Sequence, residues 1–170
     1  MKSVLISIQP KWVEKIASGE KTIEVRKTRP KIETPFKCYI YMSQGTYKDL
    51  GTYSDWIYEN RMKVIGEFIC DRIVDISFTK PFLYYGEKMY HSDKCCKEAC
   101  LSYRELEDYL GNKDGYGWHI SDLKIYDKPK DLSEFKNVRL VKRDYGFNRY
   151  EKKPLTRPFQ SWGYVEELGD

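Results

Sequence analysis

The sequence predicts an α+β domain in which two or three helices flank a mostly antiparallel β-barrel. Short β-rich runs recur along the 170 residues, and amphipathic helical segments interrupt them. No internal repeat, low-complexity tract or linker divides the chain. Because this length fits one domain, residues 1–170 are predicted to form a single domain.

The N-terminal half is predicted to contain strands around one short helix. Pro10–Ser18 is helical in pattern, because its apolar residues recur at helical spacing and Gly19 follows as a natural C-terminal cap. A loop with a short helix around Trp56 is expected between the later strands. The predicted strands here are Ser3–Gln9, Lys21–Lys27, Phe36–Met42 and Lys63–Ile76, the last bent or divided in two with Gly66 at a bulge.

The C-terminal half is predicted to begin with a helical segment, Lys94–Gly111. Ser102 and Glu105 have the spacing of a capping box within it, and Gly111 ends it. The predicted strands that follow are Tyr116–Tyr126, Arg139–Phe147, which is polar and could be a hairpin, and Ser161–Val165.

Composition narrows the class of protein. Hydrophobic residues make up 41%, aromatic residues 15% and charged residues 33%, so a folded, heavily solvated domain is expected. There is no apolar run of membrane-spanning length and no signal peptide, and the five cysteines are an odd number, so a reduced, cytoplasmic protein is predicted. The net charge of +4 permits a nucleic-acid partner without requiring one. No phosphate-binding loop or dinucleotide motif is present, so no cofactor is predicted.

A polar cluster follows the first helix. In the segment Gly19-Glu20-Lys21-Thr22-Ile23-Glu24-Val25-Arg26, strand alternation places Glu24 and Arg26 on one face, roughly 7 Å apart, with Lys21 at the start of the strand. One carboxylate between two cations suits a phosphate or the mixed donor and acceptor edge of a nucleobase. The alternative interpretation is a solvent-exposed strand face whose charge pairs contribute little.

The sequence resembles the ASCH (activating signal cointegrator homology) domain, most closely its bacterial and phage-type members. The resemblance begins with Ile6–Pro10 and continues with the pattern Gly19-x-Lys21-x-x-Glu24-x-Arg26. It returns in Trp118–Tyr126, at Pro129 and in the terminal Pro158–Val165. It therefore spans nearly the whole chain.

This resemblance implies a PUA-like β-barrel with a cleft beside the first helix, in a superfamily whose members bind RNA or modified bases. The family's lysine, glutamate and arginine would correspond to Lys21, Glu24 and Arg26. The expected function is binding of RNA, of single-stranded or modified nucleic acid, or of a nucleotide, with a regulatory role. A purely regulatory protein–protein domain is a further alternative, and the oligomeric state is not predicted.

The resemblance also carries an enzymatic alternative. Some ASCH proteins resemble N4-acetylcytidine amidohydrolases, which use a lysine, a threonine and a glutamate, and another branch is described as ribonucleases. Lys21 would be the lysine, but Glu24 occupies the threonine position, and Thr22 lies in a different register. Glu98 is a loose match for the third residue. Lys21 and Glu24 are thus candidate catalytic groups, and whether the protein is an enzyme stays open.

Further candidates have structural alternatives. Trp118 and Trp162 could stack on bases or fill the core, and Gln160 and Ser161 could bond a base edge. His119 is interpreted as structural, with a position facing the cleft as the alternative. His91, Cys95, Cys96 and Cys100 form pairs on two helix faces, so buried thiols are favoured over a metal, and no metal is predicted. The basic run from Lys142 to Lys153 could contact a nucleic-acid backbone or form a solvated hairpin.

Overall fold

A computed structural model describes residues 2–45, 53–79, 82–85, 93–111, 113–141 and 149–169. Within these ranges the α-helices are α1 (Pro10–Ala17), α2 (Asp55–Asn60), α3 (Asp93–Ala99) and α4 (Tyr103–Leu110). The strands are β1 (Lys2–Ile8), β2 (Ile23–Arg26), β3 (Phe36–Met42), β4 (Val64–Cys70), β5 (Ile73–Thr79), β6 (Phe82–Tyr85), β7 (Gly115–His119), β8 (Ser121–Lys130), β9 (Lys136–Val141), β10 (Arg149–Pro154) and β11 (Trp162–Glu166).

The described strands form two sheets, which confirms the α+β class. A seven-stranded sheet has the order β10-β9-β11-β1-β3-β4-β8, and a four-stranded sheet has the order β2-β7-β5-β6. Strands β1 and β3 run parallel, whereas β1 with β11 and β2 with β7 run antiparallel. Over the described residues neither order closes on itself. The barrel therefore stays a prediction.

The chain divides into two compact units, and the single-domain prediction stays a prediction. The first unit comprises residues 1–13, 37–68 and 124–170. Its core includes Leu5, Tyr39, Val64 and Phe135, all of them buried. Gly66 lies inside β4, where an added Cβ would meet the Lys124 carbonyl oxygen at 2.5 Å, so this glycine allows β8 to approach closely.

The second unit comprises residues 14–36 and 69–123. Its core joins one face of the four-stranded sheet to α3 and α4. Alternation along β2 turns Ile23 and Val25 into this core, and the helical spacing of Leu106 and Leu110 does the same for α4. All four of these side chains are buried, and Cys95 and Ala99 of α3 complete the contact.

Three predicted elements are each two elements in the structure. The run Lys63–Ile76, predicted to be bent or divided in two, is divided into β4 and β5, which belong to different sheets. The helical segment Lys94–Gly111 divides into α3 and α4, and the strand Tyr116–Tyr126 divides into β7 and β8. The predicted capping box is present, but it starts α4 instead of lying inside one long helix.

The remaining predictions are met to within a few residues. Strands β9 and β10 pair antiparallel, whereas the predicted strand or hairpin Arg139–Phe147 overlaps only the end of β9 and otherwise lies outside the described residues. Strand β6 was not predicted. No helix in the described part of the chain is long and apolar enough to cross a membrane.

Candidate functional site

The turn after α1 places Lys21 at the start of β2. Gly19 has φ +78°, a left-handed conformation that glycine adopts without strain, and its N–H donates to the Ile16 carbonyl at 3.0 Å. The Lys21 N–H then donates to the Lys15 carbonyl at 2.9 Å. The predicted glycine cap therefore sets where the strand begins.

Strand β2 is an edge strand that pairs only with β7 among the described strands. In this antiparallel register Glu24 lies opposite Trp118, and Arg26 lies opposite Tyr116. Since alternate side chains of a strand point to opposite faces, Glu24 and Arg26 lie on the face away from Ile23 and Val25. The predicted shared face is therefore confirmed.

Lys21, Glu24 and Arg26 form one ion-paired cluster, hereafter the charged cluster. Lys21 Nζ lies 3.4 Å from Glu24 Oε2, and Arg26 Nη2 lies 2.9 Å from Glu24 Oε1. The three residues are only 3%, 6% and 7% exposed, respectively. The interpretation of these charges as a solvent-exposed strand face is therefore wrong.

The C-terminus of α3 holds the ammonium group of Lys21. Lys21 Nζ donates to the Ala99 carbonyl at 2.6 Å. The last carbonyls of a helix lack intrahelical donors and lie at the negative end of its dipole, so a cation is favourable there. This contact explains how a lysine can be buried at the start of β2.

Tyr109 of α4 is a member of the site that sequence reasoning missed. Tyr109 is 38% exposed, and its partial burial raises the pKa of the phenol, while the charge of Arg26 and a hydrogen bond with Arg26 act in the opposite direction. The helical spacing that marks Leu106 and Leu110 as buried also places Tyr109 beside them, but nothing in the sequence distinguishes it among fifteen tyrosines.

Burial makes the charged cluster costly for the fold. Taking ions out of water costs about several kcal/mol per ion. Their mutual attraction offsets this cost only when the geometry is good. Apolar residues of similar size often serve stability equally well. The three side chains carry two positive charges and one negative charge, so their formal charges sum to +1.

Trp118 is buried on the face of the four-stranded sheet that carries Glu24. The residue is fully buried, and its ring meets that of Phe36 edge to face with centroids 5.8 Å apart. This is the packing that the core interpretation predicts. A contact between Trp118 and a base stays a prediction.

The other predicted ligand-binding residues belong to the first unit. Gln160 is exposed, and Ser161 and Trp162 are half-buried. Trp162 lies opposite Ile6 in the register of β11 with β1, and its ring contacts that of Tyr164 at 5.5 Å between centroids. Their predicted contacts with a base edge stay predictions.

The fold has solved counterparts. No protein-family model and no curated protein matches the sequence. A crystal structure of ASCH from Zymomonas mobilis matches at a TM-score of 0.54 and 21% identity, over 76% of this chain and 73% of that chain. A structure of a single-residue mutant of the same protein matches at a TM-score of 0.58 and 18% identity, over 97% of this chain and 89% of that chain. The chain has the ASCH fold.

Thr22 and Glu98, two residues weighed for the amidohydrolase chemistry, make contacts that stabilise this ASCH fold. The Thr22 N–H donates to the Glu98 carbonyl at 2.9 Å, which ties the start of β2 to α3. The Glu98 carboxylate lies 4.0 Å from Lys94 Nζ on the same helix. Neither contact brings a hydroxyl nucleophile to the charged cluster.

His119 has a carboxylate partner that the sequence did not reveal. Its Nδ1 lies 2.5 Å from Asp71 Oδ1, although 48 residues separate the two in the chain. Along β7 the side chain of His119 alternates with that of Trp118, so it lies on the other face from Glu24. The structural interpretation of His119 agrees with this position.

The cysteine group lies on and after α3. Cys95 is buried, and burial is the main cause that raises the pKa of its thiol to about 12. No group of three or more His, Cys, Asp or Glu side chains in the described ranges is placed to hold a metal. His91 lies outside those ranges, so the predicted absence of metal stays untested for the full set.

Proposed function

We propose that this protein binds single-stranded nucleic acid, RNA in the first place, through the charged cluster and the surface beside it. The observation that carries the proposal is a buried set of charges with a formal sum of +1. Lys21 and Arg26 would donate to a phosphate or to base acceptors. Glu24 would accept from a base amino group.

The cost of the cluster supports a functional role. A buried ion pair is weak evidence for stability, because its desolvation can exceed its attraction. Lysine, glutamate and arginine are seldom buried, so the burial of all three at one point of the sheet favours a role beyond stability. Guanidinium and ammonium donors together are a common means of recognising phosphate.

The proposal includes membership of the ASCH family, of its bacterial and phage type, and a PUA-like barrel. The fold and the Gly19-x-Lys21-x-x-Glu24-x-Arg26 pattern both support it. A cytoplasmic location and a regulatory role of nucleic-acid binding belong to the same proposal. Hydrolysis of the bound RNA or nucleoside is the alternative outcome that the experiment below distinguishes.

Lys21→Met is the variant that tests the proposal. It removes the charge of Lys21, brings the formal charge of the cluster to zero and leaves the 2.9 Å pair of Glu24 and Arg26 in place. Loss of a charged hydrogen bond costs about 1.5–3 kcal/mol, so affinity for labelled single-stranded RNA should fall about tenfold or more. Fluorescence anisotropy at fixed salt measures this change.

Lys15→Met is the matched control. It removes the same charge from a half-buried lysine of the same unit, whose side chain is 41% exposed and whose partner is Glu20 at 3.1 Å. Thermal unfolding of both variants shows whether they fold.

Absence of binding by the wild type to RNA, single-stranded DNA and modified nucleosides would refute the proposal, and so would equal losses in the two variants. RNA cleavage or a changed nucleoside that Lys21→Met abolishes would instead support the hydrolase.

A further inference from the structure

The chain that follows β2 forms one wall of a groove. The groove has a volume of about 800 Å³, within the range of about 300–1,000 Å³ that is usual for ligand sites. All of it lies in the second unit, which also holds the charged cluster. The groove is lined in part by Lys27, Arg29, Lys31, Glu33, Ile73 and Tyr116.

The groove is positively charged. Lys27, Arg29 and Lys31 are exposed, and Glu33 is the acidic residue among those that line it. Their formal charges sum to +2. A concave surface with an excess of one charge raises the local concentration of ligands of opposite charge.

Aromatic rings lie beside two of these cations. The Arg29 guanidinium carbon lies 5.5 Å from the centroid of the Tyr116 ring, and Lys27 Nζ lies 5.2 Å from that of Tyr109. Tyr116 is half-buried, and Ile73 lines the groove beside it. Cations interleaved with aromatic rings are the arrangement by which proteins bind unpaired bases and their backbone.

The groove continues from the charged cluster. Arg26 lies opposite Tyr116 in the register of β2 with β7, and Arg26 is hydrogen-bonded to Tyr109. Lys27, the next residue along the chain, is therefore where the buried charges of the cluster meet the exposed charges of the groove.

We propose that this groove binds the nucleotide adjacent to the one at the charged cluster in a single strand of nucleic acid. Its base stacks on the layer formed by Arg29 and Tyr116, and its flanking phosphates contact Lys27 and Lys31. The inference rests on the proposed function and adds a second subsite, with stacking and backbone contacts that the charged cluster lacks.

The phosphate contacts are tested by the salt dependence of binding. For single strands the logarithm of the binding constant falls with the logarithm of salt concentration, with a slope of about −0.7 for each phosphate contact. The triple variant K27Q/R29Q/K31Q removes the two phosphate contacts of Lys27 and Lys31 and should therefore reduce the steepness of this slope by about 1.4. Anisotropy with a labelled oligouridine of about 12 nucleotides measures it, a length within the usual site size.

The chain offers a matched control. Arg139, Lys153 and Arg157 are three exposed cations that line a groove of about 410 Å³ in the first unit. The variant K136Q/R139Q/R157Q replaces exposed cations of this unit, leaves Lys153 of the basic run unchanged, changes the net charge equally and should keep the wild-type slope. Equal slopes for the two triple variants, or a wild-type slope in K27Q/R29Q/K31Q, would overturn the inference.

Stacking is tested by Tyr116→Leu, which keeps an apolar side chain and removes the ring. Loss of base stacking on this ring should lower the affinity roughly fivefold or more, whereas the salt slope should not change. Unchanged affinity in a folded Tyr116→Leu protein would overturn the stacking role.

One pattern of results separates the two proposals. If the wild type binds and the Lys21→Met variant loses binding, while all groove variants bind like the wild type, the proposed function stands and only the groove is refuted.

Discussion

Glu24 is the residue that links the two cations of the charged cluster. Its two carboxylate oxygens each contact one cation, Lys21 through Oε2 and Arg26 through Oε1. The sequence could predict that Glu24 and Arg26 share a face, because strand alternation is a local property. It could not predict their burial or the contacts with Ala99 and Tyr109, because those depend on how α3 and α4 pack on the sheet.

The pair of Asp71 and His119 predicts how stability depends on pH. Burial acts to raise the pKa of the Asp71 carboxyl, but the hydrogen bond with His119 and the charges of His119 and Arg72 lower it below its usual value. A carboxyl whose pKa is lower in the folded state stabilises the fold above its unfolded pKa, about 3.9. That contribution is lost as the pH falls from about 4 through the lower folded pKa.

Asp71→Asn should therefore lose free energy of unfolding less steeply than the wild type as the pH falls below about 4. His119→Gln should show the same shallower slope, because it removes the partner. The Asp71 side chain is 40% exposed, so solvent screening keeps the effect small. Urea unfolding at several pH values measures it, and parallel curves for the three proteins would contradict the pairing.

At the level of elements, the break between α3 and α4 shapes the site. Cys100 has φ 52°, and the N–H groups of Cys100 and Leu101 donate to the carbonyls of Lys97 and Cys96, which ends α3 in a Schellman-type cap. The cap stops α3 at Ala99, whose carbonyl accepts from Lys21. Helical periodicity continues through this segment, and Cys100 stands where glycine is the usual cap, so the sequence did not reveal the break.

The start of α4 gives a prediction with an internal control. The Ser102 hydroxyl oxygen accepts from the Glu105 N–H at 3.2 Å, and the Glu105 carboxylate accepts from the Ser102 N–H at 2.9 Å. Ser102→Ala should therefore lower the free energy of unfolding by about 1 kcal/mol. Ser54 is the N-cap residue of α2 but makes no side-chain capping bond, so Ser54→Ala should change it little. Urea unfolding compares the two, and equal losses would contradict the role of the capping box.

For the whole molecule, local patterns located most strands but not their sheets. The run Lys63–Ile76 is apolar throughout, yet the chain leaves one sheet at Cys70 and enters the other at Ile73. Periodicity cannot show this, because the two sheets differ only in contacts distant in sequence. The same limit applies to Asp71, which meets His119 across 48 residues. Strand alternation and the resemblance to the ASCH domain both indicated Lys21, Glu24 and Arg26, but local spacing did not reveal that the three side chains are buried.

The most direct test of the binding surface is nuclear magnetic resonance of ¹⁵N-labelled protein titrated with single-stranded RNA. The backbone amides of residues 21–29 and of Lys31, the Arg26 side-chain N–H and the amide of Tyr116 should show the largest chemical-shift changes. These signals report the charged cluster and the adjoining groove separately from the rest of the chain. Changes confined to the groove of Arg139, Lys153 and Arg157, or RNA binding that leaves residues 21–31 unshifted, would contradict the proposal.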